Sequence, residues 1–164
     1  MIISIEGNSQ KNIKKAAFKI SSLLNLPIIP HVDKSLLKKR YNFKGEDILF
    51  HITLLLEKFK RIEDAAQYEK GAIVLFSVYR DLHEIYEKNS EEEIDIFNFY
   101  FFSFLEKFPR IDFQILITNK NSKLSDFFNR VSRKENLKLI ILEEDLVLKD
   151  ELNYKNVVKS IFEV

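Results

Sequence analysis

An apolar run, Ile2, Ile3 and Ile5, ends at Glu6-Gly7-Asn8, and a helical pattern follows almost at once. Ile13, Ala16, Ala17, Ile20, Leu23 and Leu24 recur at three- and four-residue intervals, one face of a helix. A short unalternating strand feeding straight into a helix opens a βαβ unit, because a parallel neighbour is reached only by a crossover. Four further short apolar runs, at residues 27–30, 72–76, 113–118 and 137–142, join the first at residues 2–6. Runs of this kind are strands covered on both faces. Their order predicts an α/β fold in three layers, α/β/α, with a five-stranded parallel sheet and right-handed crossovers.

The chain has 164 residues, 46% of them apolar, which suits one domain spanning residues 1–164 with a sizeable core. With 26 basic and 25 acidic residues it carries no charge imbalance of the kind that marks nucleic-acid or membrane-surface binding. The absence of cysteine excludes disulfides and thiolate metal sites and fits a reducing, cytoplasmic setting. The N-terminus lacks the charged, hydrophobic and small-residue order of a leader peptide, and no apolar run reaches bilayer length.

Between the strands, residues 46 to about 69 place Leu49, Ile52, Leu56, Phe59, Ile62 and Ala66 on one face of a long helix, with Gly71 suited to its left-handed C′ position. Ser90-Glu91-Glu92-Glu93 is a capping box opening a helix that runs to about Lys107, before Pro109. Phe97, Phe101, Phe104 and Phe108 form one stripe of that helix, while Phe99 and Phe102 point elsewhere. Aromatic residues on more than one face imply burial on more than one side, in the monomer core or at a dimer interface.

Phosphate-binding loops read GxxxxGK[ST]: glycines let amides surround a phosphate, a lysine reaches its outer oxygens and a hydroxyl holds Mg²⁺. Counted from Gly7, these positions fall on Asn12, Ile13 and Lys14, and all three fail. What remains is a weak phosphate-binding candidate made of Gly7, Asn8, Ser9, Lys11, Lys14 and Lys15 at a helix N-terminus. The plainer reading of those lysines, as a solvated helix face, is preferred.

Several segments, in this order, resemble the deoxynucleoside kinases and their thymidylate kinase relatives. ISIEGN is similar to the family's first strand and loop entry, LKKRY (37–41) to its LEKFY, and ILFHIT (48–53) to the start of its substrate-facing helix, often FHIQ. GAIVLFSVYRD (71–81) is similar to the strand ending in DRS or ERS, PRIDFQILI (109–117) to PDLLIYL, and NRVSRKE (129–135) to a shortened arginine-rich lid. The resemblance implies a P-loop nucleoside or nucleotide kinase fold. It places Pro30 where the family has its general base, with Asp33 the nearby carboxylate, and puts Leu75 and Phe76 at the acid and arginine of DRS. Thr53 takes the place of the base-pairing glutamine. Asp33, Tyr41, His51, Thr53, Ser77, Tyr79 and Asp81 are then the candidate substrate cleft, and Arg130, Arg133 and Lys134 the candidate lid.

Phosphoryl transfer depends on positioning and charge neutralisation by lysine, Mg²⁺ and arginines together. With several missing, the expectation is a catalytically impaired homologue with no catalytic residue, metal ligand or confident cofactor. It would work as a homodimer or beside an active kinase subunit, with weak nucleoside or nucleotide binding. The alternative is an active thymidylate or deoxynucleoside kinase that takes ATP and Mg²⁺ through an atypical loop. Other groups read plainly: His31 and His83 as surface residues, Glu91 to Glu93 as a dipole-compatible helix start, Asp81 with Glu84 as solvated. Ser77 has no histidine partner for hydrolase chemistry.

Overall fold

The computed structural model describes residues 1–119, 121–147 and 151–162. The chain starts with β1 (Ile2–Gly7), α1 (Gln10–Leu24) and a two-residue β2 (Ile28–Ile29), followed by α2 (Lys34–Tyr41) and α3 (Ile48–Ala66). Next come β3 (Ala72–Val74), α4 (Val78–Lys88), α5 (Glu91–Lys107) and β4 (Phe113–Ile117). The last elements are α6 (Lys123–Glu135), β5 (Lys138–Leu142), α7 (Glu144–Val147) and α8 (Glu151–Phe162). All strand pairs are parallel, in the order β2-β3-β1-β4-β5. This is the expected five-stranded parallel sheet with helices on both faces.

Period-two alternation assigns each side chain to a layer. Ile3, Ile5, Ile73, Phe113 and Ile115 pack with Ile13, Ala16, Ala17 and Ile20 of α1 on one face. Tyr154, Val157 and Ile161 of α8 close that layer, an element the sequence reading did not place. On the other face Ile2, Ala72, Val74 and Leu116 meet α3, α4, α5 and α6. Phe97 and Phe101 of α5 are fully buried there, and Phe59 of α3 touches Phe101, Phe104 and Phe108 at ring-centroid distances of 6.4, 5.7 and 5.5 Å. The long helix is thus the packing neighbour of the Phe-rich one.

Three details differ from expectation. The buried stripe of α3 is Phe50, Leu54, Leu55, Phe59, Ile62 and Ala65, whereas Leu49 is exposed. The strand β3 ends at Val74; the Leu75 amide still donates to the Ile29 carbonyl at 3.1 Å, and beyond it Phe76 O accepts from the Ser4 hydroxyl and the Ser77 amide donates to Glu6. Gly71 is left-handed (φ 94°), but α3 already ends at Ala66. Its need is a close approach: an added Cβ would lie 1.7 Å from the Met1 carbonyl. The helix ends that require left-handed residues use Asn25, Asn42 and Asn136 instead.

Candidate functional site

The helix after β1 lies on one face of the sheet and the helix after β3 on the other, so a crevice opens between these neighbouring strands at their carboxyl ends. A cavity of about 420 Å³ sits there. Its floor is Glu6, Gly7, Leu75 and Phe76, and α3 and α4 supply Lys58, Arg80, Asp81 and Glu84. His31 and Lys34 stand at the rim.

Glu6 ends the polar side of β1, and its carboxylate bridges two strand ends. One oxygen accepts from the Gly7 amide at 2.9 Å, the other from the Ser77 amide at 3.1 Å. Burial pushes its pKa up from the usual carboxylate range, against the pull of Lys58, the Gly7 amide and Arg80. Because the folded state keeps this proton to higher pH, the associated stability is complete below about pH 4.5 and is lost as pH rises through the folded value. Glu6→Gln keeps one acceptor oxygen and cannot ionise. Urea midpoints measured from acid to neutral pH should therefore fall less steeply in the variant than in the native chain, and parallel curves would refute this assignment.

Lys58 and Asp81 form a buried ion pair across α3 and α4. The ammonium donates to both carboxylate oxygens, at 2.8 and 2.7 Å, and also lies 5.7 Å from the Phe76 ring centre. Burial raises Asp81 and the Lys58 charge works against it. Beside the pair, Arg80 binds Glu84 at 3.1 Å. The cleft thus combines three carboxylates with Lys58, Arg80 and Lys34, a balanced set and not a cationic phosphate site.

No protein-family model matches the sequence, and no curated protein sequence does. Solved structures do match. NadR in complex with NR aligns over 99% of this chain at a TM-score of 0.70 and 11% identity. This chain spans about half of the NadR chain, 50% of its length. Thymidylate kinase from Ehrlichia chaffeensis aligns over 98% of both chains at a TM-score of 0.62 and 16% identity. Deoxyadenosine kinase from M. mycoides with bound dATP covers 100% of both at 0.64 and 11%.

The chain has a P-loop kinase fold.

Within that fold the residues singled out from the sequence separate. Gly7, Asn8 and Asp81 line the cleft. Ser9 caps α1 through the Asn12 amide, and Lys11 and Lys14 are exposed on its outer face, away from the cleft lining, as is the half-buried Lys15. Asp33 is the N-cap of α2, accepting from Ser35 and Leu36, so its carboxylate is committed to the backbone instead of facing the cavity. Tyr41 lies exposed near Glu57, Thr53 hydrogen-bonds the Leu49 carbonyl, and His51 packs on Phe50; none of the three lines the cleft. Ser77 is the buried N-cap of α4. Tyr79 faces away, toward α5 and α6. Arg130, Arg133 and Lys134 lie on a continuous helix, α6, that contacts α4 and β5, so they form no lid over this cleft.

Two of the plain readings are corrected. Asp81 is 4% exposed and not solvated. His83 is half-buried with its ring 4.9 Å from Phe127, so it is not a surface residue. Sequence reasoning missed Glu6, Lys58, Arg80 and Glu84. Lys58 carried a signal: it stands between Leu54 and Ile62 in the apolar stripe of α3, where a charge needs a partner. Among the described residues no group of three or more His, Asp or Glu side chains could hold a metal ion.

Proposed function

We propose that this P-loop kinase fold protein does not transfer phosphoryl groups and acts by assembly in the cytoplasm, as a homodimer or beside an active kinase subunit. Its cleft would hold a nucleoside or nucleotide weakly. The observation that carries this reading is the two-residue passage, Asn8-Ser9, from β1 to α1. A phosphate nest needs several successive free amides. Here the Gly7 amide is taken by Glu6 and the Asn12 amide by Ser9.

Neither ATP nor Mg²⁺ fits the residues present. Ile13, at the lysine position, is 1% exposed inside the α1 layer. Lys14 offers no hydroxyl, Leu75 no carboxylate, and Asp81 is held by Lys58. The β4 backbone also crowds the site, since a Cβ on Gly7 would meet Ile117 O at 2.6 Å. This glycine therefore serves strand packing.

Assembly is supported by the outer face of α5, where Ile96, Phe99 and Tyr100 are 40%, 69% and 39% exposed. Contiguous apolar surface of this kind marks an interaction site. Sedimentation of the purified chain should give a dimer that Phe99→Asp converts to a monomer with unchanged circular dichroism. Millimolar Mg·ATP should leave Tm unchanged. A rise in Tm that Lys11→Ala with Lys14→Ala abolishes would instead favour the active-kinase alternative. Among the described residues no helix is long and apolar enough to cross a membrane.

A further inference from the structure

A second cavity, about 230 Å³, opens between α4, α5 and α6 and shares no lining residue with the cleft. Its walls are Leu82, Phe101, Phe127 and Val131. Phe102 forms one edge, with the Lys134 ammonium 5.3 Å from its ring centre. Arg130 stands beside Lys134 on α6 and, among the described residues, makes no ion pair.

Tyr79, 6% exposed, lines this cavity and also a neighbouring one walled by Leu105, Arg110 and Lys138. Burial and the Glu135 carboxylate push its pKa up to about 12, against Arg110, so it stays a proton donor at neutral pH. The cavity therefore has flat apolar walls and two exposed cations, Arg130 and Lys134, among its lining residues.

We propose that this cavity is a binding site for a small planar aromatic acid. The ring would lie between the α4–α6 side chains and the carboxylate would pair with Arg130 and Lys134. The volume is below the roughly 300–1,000 Å³ of drug-sized sites, which limits the ligand to one or two fused rings. Arg130 supplies a planar fork that matches a carboxylate, and Lys134 a point charge. Glu135 also lines the cavity and acts on Tyr79, so it repels an acid group placed beside that residue. This site is independent of the cleft and of the assembly face.

Calorimetric titration of the full chain with naphthoate, its neutral amide and naphthylmethylammonium tests the proposal. Naphthoate should bind roughly tenfold more tightly than the amide, the size of one charge-assisted pair, and the cation should bind least. Arg130→Gln with Lys134→Gln, both at exposed positions, should erase the preference for the acid without changing the urea midpoint. Val131→Trp should fill the cavity and abolish binding of all three. Three outcomes would overturn the proposal: no naphthoate binding up to its solubility, equal affinity for the three probes, or a preference that survives the double charge variant.

Discussion

Lys58→Met should lower the stability of the fold by about 3–5 kcal/mol, the cost of stranding one charge of a buried pair. Asp81 is 4% exposed and both its oxygens accept from Lys58, so nothing else of comparable strength remains for it. For a domain of this size the loss corresponds to a fall in Tm on the order of 10 °C. Without Lys58 the carboxylate is held still further above its usual range, and the deficit grows as pH rises and Asp81 must ionise. Adding Asp81→Leu removes the stranded charge and should recover most of the loss. Urea unfolding of the single and double variants, at acid and neutral pH, measures both effects. A single variant within about 1 kcal/mol of native would mean that the pair is solvated in solution.

Phe101→Ala should cost about 3–5 kcal/mol, and Phe99→Ala, two positions earlier on the same helix, less than about 0.5 kcal/mol. Phe101 is fully buried, with ring centres of Tyr79, Phe97 and Phe59 at 5.7, 6.2 and 6.4 Å. Truncation leaves a cavity that the sheet behind it cannot collapse to fill. Phe99 is 69% exposed and contributes little to the monomer. The same pair of variants separates folding from association: Phe99→Ala should weaken the dimer at unchanged monomer stability. Equal destabilisation by both would mean that α5 is covered on both faces within one chain.

The sheet was legible because each strand is a short apolar run bounded by a helical period, and a parallel sheet buried on both faces produces that pattern. The Ser90 capping box was equally plain, since its side chain–backbone exchange is local. The cleft was harder to read. Glu6 looks like any strand-terminal acid until β3 brings the Ser77 amide to it across the sheet. Asp33 and Ser77 lay in the right segments, but short polar side chains at helix starts serve the backbone first. Tyr79 and Asp81, two residues apart on α4, necessarily face different sides of that helix, so only one could line the cleft. The C-terminal helix α8 was overlooked although Tyr154, Val157 and Ile161 keep a helical period, because its apolar stripe is sparse among lysines and asparagines.

The most direct test follows transfer of the γ-phosphoryl group from radiolabelled Mg·ATP to deoxynucleosides and dTMP by the purified full chain at saturating substrate. The account predicts no labelled product above the level without enzyme, since β1 passes to α1 in two residues and Asn12, Ile13 and Lys14 stand where a second glycine, a lysine and a hydroxyl would hold the transferring group. Turnover at roughly 1–100 s⁻¹, the ordinary range of kinases, would contradict it outright.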